Sequence, residues 1–103
     1  MGFDQYHEPA DELSEKTRTF ARMIAGLGEE AEAIGWYEQR MSLEKDPQAK
    51  KIMQNAQLEE MKHFSMDLEF LLRSHPKWRE VARGILFTKG EITKLGDTSE
   101  EEA

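Results

Sequence analysis

Leu13, Phe20, Leu27, Ile34 and Met41 stand seven residues apart, and no proline interrupts the chain between Leu13 and Ser42. Thr17, Ile24 and Ala31 fill the places four residues after the first three of them. An apolar seam at a mean spacing of 3.5 residues suits a long helix, not a strand, whose faces alternate every second residue. The spacing predicts a first helix from about Leu13 to Ser42. Gly26, Gly28 and Gly35 lie inside it, each weakening it by roughly 1 kcal/mol relative to alanine. Glycines in such a helix mark either a close approach by another backbone or tolerated surface positions.

Ser42-Leu43-Glu44-Lys45-Asp46-Pro47 reads as a short break. Asp46 suits an N-cap and Pro47 the first helical position after it. A second helix then runs from Pro47 to about Ser74, where His75-Pro76 ends it, because the residue before proline is biased away from helix. Pro76 opens a third, short helix through Phe87, with Trp78, Val81, Ile85 and Leu86 on its apolar side. Gly90, Gly96 and Ser99-Glu100-Glu101-Glu102-Ala103 read as an irregular end with a solvated acidic tip.

The expected organisation is an N-terminal arm over 1–12, a helical domain over 13–95 and an acidic tail over 96–103. Two long helices joined by a few residues form an antiparallel hairpin. A hairpin has two apolar faces and covers only one of them by itself. The expected fold is therefore all-α: an antiparallel two-helix hairpin plus a short C-terminal helix, with two copies dimerising into a four-helix bundle.

Charge and composition narrow the function. The 103 residues carry 21 acidic and 14 basic side chains, a net charge of −7. No basic surface is on offer to phosphates, which argues against nucleic acid, and the same balance argues against an anionic membrane surface. No run of 18 apolar residues exists to span a bilayer, and no basic-then-apolar leader opens the chain. Zero cysteine excludes disulfides, thiolate metal sites and thiol catalysis. A cytoplasmic protein is the default expectation.

The seam is interrupted by acids. Glu30 has Met23, Leu27, Ile34 and Tyr37 at −7, −3, +4 and +7, so its carboxylate sits on a face of large apolar side chains. Such a group needs a partner there or must protonate. On the second helix, Met53, Glu60 and Asp67 stand seven apart, and so do Ala56, His63 and Phe70. Glu60 and His63 thus share a face, three residues apart, and their side chains converge within one turn as two ligands of one metal must.

Depth along the hairpin is consistent with a shared site. With the turn near Glu44, Glu30 lies 14 residues before it, and Glu60 and His63 lie 16 and 19 after it. At ~1.5 Å per residue that is roughly 21 Å against roughly 24–28 Å. One Glu from one helix plus Glu-x-x-His from its neighbour is half of a di-metal carboxylate site, and the full ferritin-like set needs two halves across four helices. The other half must come from a second copy. Carboxylates with one imidazole per metal suit iron or manganese, with zinc as a competitor. His63 must be neutral to ligate. On spacing alone Glu29 and Glu32 belong to a solvated face, Trp36, Phe64, Leu68, Leu71 and Leu72 to the core, and Tyr37 to the core with its hydroxyl within reach of the metal shell. His75 reads as a helix-end residue.

Over Glu29-Glu30-Ala31-Glu32-Ala33-Ile34-Gly35-Trp36-Tyr37-Glu38-Gln39-Arg40 and Glu59-Glu60-Met61-Lys62-His63 the chain resembles the encapsulated ferritins. The resemblance extends to His7-Glu8-Pro9, Asp46-Pro47, Lys77-Trp78 and Leu86-Phe87-Thr88. It implies a helical hairpin whose dimers form ferritin-like bundles and assemble further into an annular homodecamer. It implies a ferroxidase oxidising Fe(II) with dioxygen at a di-iron centre at the dimer interface. Two irons per interface are held by Glu30, Glu60 and His63 of both subunits, and manganese, zinc or calcium can substitute in vitro. It implies that Tyr37 and Trp36 lie beside the centre, and that Glu29 and Glu32 form a metal entrance or secondary site. It implies an encapsulin shell protein as partner and residence inside an encapsulin nanocompartment. The departure from the pattern is at the C-terminus, where an acidic run to Ala103 stands in place of an apolar-basic targeting peptide. Two rival readings are a di-iron peroxidase of rubrerythrin type and a non-catalytic helical oligomerisation module.

Overall fold

The computed structural model describes residues 5–103, and residues 1–4 of the expected arm lie outside it. Among the described residues every regular element is helical. The chain divides into two compact units after Leu68, partway along the second long helix.

In the first unit a single 3-10 turn, Ala10–Glu12, precedes α1, Glu15–Leu43. Ser14 starts α1 by accepting a hydrogen bond from the Thr17 amide at 3.1 Å, so Leu13 of the predicted seam falls just before the helix. Arg18 reaches back to the Ala10 carbonyl at 2.9 Å and ties the turn to the helix. Asp46 caps α2, Pro47–Ser74, by accepting from the amides of Gln48 and Ala49, each at 2.9 Å. Both the cap and the proline at the first position act as the sequence predicts.

Gln57 sets the register of the hairpin. It is buried, 6% exposed, and its side-chain amide donates to the Ile34 carbonyl at 3.2 Å and to Glu38 Oε1 at 2.9 Å. Gly26 faces Asp67. Eight residues back along α1, from Ile34 to Gly26, are matched by ten forward along α2, from Gln57 to Asp67, so the helices run antiparallel. The close approach at Gly26 is by a carboxylate, not a backbone, whereas Gly35 faces open space.

The hairpin leaves much apolar surface uncovered. No residue of α1 is fully buried, and Phe20, Leu27, Ile34 and Met41 are each half-buried. Trp36, read from the sequence as core, is 49% exposed, and Ile52 and Met66 are 62% and 59% exposed. A tryptophan outside the apolar stripe that faces α2 is only partly covered by the described residues of its own chain.

The second unit has its own small core. Leu71, Leu72 and Ala82 are buried, Leu71 completely. His75 caps α3, Pro76–Arg83, its Nδ1 accepting from the Trp78 amide at 3.3 Å. The helix stops at Gly84, short of the predicted end at Phe87, because residues 84–87 form a turn in which Phe87 adopts φ +60°.

The C-terminal residues are not irregular. They form α4, Ile92–Glu102. Glu91 caps it by accepting from the Thr93 and Lys94 amides at 3.2 and 3.0 Å. Packing on α3 outweighs the helix penalty of Gly96: Ser99 is buried and its hydroxyl donates to the Val81 carbonyl at 2.6 Å. Gly84 permits this approach, since a Cβ there would lie 2.6 Å from the Ser99 Cβ. Gly84→Ala is therefore expected to destabilise the protein by about 1–3 kcal/mol through overpacking. A urea unfolding curve superimposable on that of the wild type would contradict this packing.

Candidate metal centre

Helical periodicity puts Gly26, Glu30 and Ile34 on one stripe of α1, four residues apart. That stripe faces α2, because Gln57 bonds the Ile34 carbonyl and Asp67 lies against Gly26. On α2, Glu60, His63 and Asp67 follow Gln57 at one-turn intervals. The antiparallel register therefore brings Glu30 level with Glu60 and His63. One carboxylate oxygen from each glutamate and one imidazole nitrogen all lie within 4.8 Å of one another. His63 Nδ1 stands 3.8 Å from Glu60 Oε1, beyond hydrogen-bond reach.

Glu30 is the electrostatically unusual member. Its Oε1 is buried and has no hydrogen-bond partner. Burial first, then hydrogen bonding and charge from Asp67, then the charges of Glu60 and Glu29, push its carboxyl from the ordinary 4.5 up to about 7. Among the described ion pairs none joins Glu30 or Glu60 to a lysine or arginine. The nearest lysine on that turn, Lys62, pairs with Glu59 at 2.9 Å. Two carboxylates without a lysine or arginine partner among the described ion pairs, one with an orphaned oxygen, and an imidazole beside them fit a divalent cation, which supplies positive charge and the missing partner together.

The electrostatics carry a signed prediction. A raised carboxyl pKa means the metal-free fold favours neutral Glu30. Its contribution to stability is complete below 4.5 and is lost as pH rises through about 7. Glu30→Gln, neutral at every pH, is expected to gain in melting temperature relative to wild type between pH 5 and pH 8 in the presence of chelator. Parallel melting curves at all pH values would contradict it.

The other residues singled out in the sequence neighbour Glu30 along α1. Glu29 is exposed and Glu32 half-buried. Tyr37 is half-buried, with the Arg40 guanidinium 5.3 Å over its ring. Trp36 points away from the Glu30 stripe by helical phase and is half exposed. Asp67 was not among the candidate ligands, although it stands on the Glu60 line. Its level opposite Gly26 was the sign that it sits inside the hairpin.

An all-helical hairpin with Glu on one arm and Glu-x-x-His on the other is a ferritin-like architecture. The comparisons with known proteins agree. A sequence profile described as EncFtn-like matches residues 5–89, and the chain belongs to that family. It is 47% identical over 92 residues to a "Ferritin-like protein" of Thermotoga maritima, covering 89% of this chain and 81% of that protein. It is 41% identical over 97 residues to an "Encapsulated ferritin-like protein" of Rhodospirillum rubrum, covering 92% and 69%. The crystal structure of protein ne0167 from Nitrosomonas europaea superposes with a TM-score of 0.82 at 39% identity, covering 86% of this chain and 98% of that one. Membership supports a ferritin-like, iron-related role and metal binding. No described helix is long and apolar enough to cross a membrane.

Proposed function

We propose that the chain is a ferroxidase that binds Fe²⁺ as substrate between two copies of itself and passes its electrons to dioxygen. The observation that carries this is the convergence of Glu30, Glu60 and His63 within 4.8 Å, with a buried, partnerless Glu30 oxygen and no lysine or arginine paired with either glutamate among the described ion pairs. In this reading the two glutamates bind and bridge iron, and His63 is the terminal nitrogen ligand. Two irons held side by side each give one electron, so a two-electron acceptor is served in one encounter. The net charge of −7 favours the approach of cations.

Pairing of two copies rests on the exposed apolar stripe beside the site. Ile52 and Met66 are largely exposed and lie 11 residues before and three after His63, on its side of α2 by helical phase. His63 itself is 47% exposed at its side chain. A second copy laid on this stripe brings its own Glu30, Glu60 and His63 to the same place, completes the four-helix bundle and covers the apolar surface. Trp36 and Tyr37 then belong beside the centre, and Glu29 and Glu32 on the route by which iron enters.

The name of the R. rubrum relative supports a further reading, that the protein is enclosed by an encapsulin shell; in the same reading it works there as a homodecamer in the cytoplasm and the shell stores the oxidised iron. The test of the activity is Fe²⁺ added without oxygen, then air. The expected result is ferric absorbance rising faster than in buffer. Oxidation by hydrogen peroxide but not by dioxygen would assign a rubrerythrin-type peroxidase instead. No rate above buffer with either oxidant would leave a helical oligomerisation module.

A further inference from the structure

Beside the centre stands a third carboxylate that the ligand set does not use. Asp67 is half-buried within the hairpin, one turn beyond His63 on α2. Its Oδ2 lies 3.3 Å from where a side chain on Gly26 would begin, and its carboxyl is within hydrogen-bond reach of Glu30. Gly26 is one turn before Glu30 on the same stripe. Asp67 therefore occupies the space beside Gly26 where a side chain would project, and from there it interacts with the Glu30 carboxyl. It is not in the group whose ligand atoms lie within 4.8 Å of one another.

We propose that Asp67 is a positioning residue: seated in the notch left by Gly26, it braces the Glu30 carboxyl so that Glu30 faces Glu60 and His63. This rests on the metal reading of that centre. A glutamate has three side-chain torsions, and a ligand loose by even an ångström binds metal poorly. Glu30 has its Oε1 buried without a partner, so little else in the hairpin fixes its carboxyl. The glycine that costs α1 helical stability thus has a purpose at this level, which Gly35, facing open space, does not share.

The test is titration of the full chain with Mn²⁺ at pH 7.5, followed by electron paramagnetic resonance, with thermal melts of each variant without metal. Asp67→Asn keeps a hydrogen bond to Glu30 and is expected to bind within about threefold of wild type. Asp67→Ala is expected to bind about tenfold more weakly, within the range found for partners that orient metal ligands. Gly26→Ala is the variant that separates bracing from general stability. Alanine favours helix over glycine, so the melting temperature should hold or rise, while Mn²⁺ binding weakens because the new methyl displaces Asp67. Equal weakening in Asp67→Asn and Asp67→Ala would make Asp67 a source of charge and overturn the brace. Wild-type binding in Asp67→Ala or Gly26→Ala would overturn it as well, leaving the centre intact. Wild-type binding in Glu30→Ala would remove the centre itself, and the brace with it.

Discussion

His63→Ala is expected to slow the oxidation of added Fe²⁺ by more than a hundredfold, and Glu60→Ala to do the same. Loss of groups that merely orient a metal ligand typically costs about 10–100-fold, and loss of a ligand should exceed that. Each half-set has one nitrogen donor, and pooling two copies doubles every loss: a single substitution removes two of six ligands. The helix should tolerate both changes, because the His63 and Glu60 side chains are 47% and 30% exposed and alanine favours helix. Glu60→Ala also relieves the repulsion that helps raise Glu30, so the variant should be at least as stable as wild type without metal. Ferric absorbance measured in air against buffer decides it. An unchanged rate in either variant would remove that residue from the centre.

Most of this geometry was readable in the sequence because it rests on two periodicities. The heptad line through Leu27 and Ile34 marks which side of α1 meets α2, and Glu30 lies between those two residues on the same face. Glu60 and His63 lay three apart on a line shared with Met53 and Ala56, and Pro47 fixed where counting should begin. Depth followed from the rise per residue, and the structure brings the three ligand groups together. What periodicity misses is chemistry decided across the gap. Asp67 stands seven residues after Glu60 on the line through Met53, but only the notch at Gly26 shows what it faces. Trp36 is large and apolar, which argues for burial, yet its phase carries it off the stripe facing α2. The C-terminal helix was hidden by glycines: Gly96 and Gly90 weaken local helix propensity, whereas Glu91 as cap and Ser99 on the Val81 carbonyl are tertiary and capping effects that outweigh it.

The second large effect concerns the uncovered face. Replacing both Ile52 and Met66 with glutamate is expected to break the assembly into single chains and abolish iron oxidation together. Both side chains are largely exposed in the single chain, so charge there costs the isolated hairpin little. In a bundle the same positions lie against a second copy, where a buried unpaired carboxylate is strongly destabilising. The two substitutions leave Glu30, Glu60 and His63 in place, so loss of activity would report the loss of the second half-set. Light scattering should show the mass fall to that of one chain while the circular dichroism stays helical. Full activity from single chains would mean that one hairpin suffices.

The most direct test is native mass spectrometry of the full chain with and without Fe²⁺, loaded without oxygen. Two hairpins that share one paired-iron centre must give an even number of chains and one iron for each chain, with metal lost from Glu30→Ala. A single chain retaining iron, or an assembly that takes up none, would contradict the account.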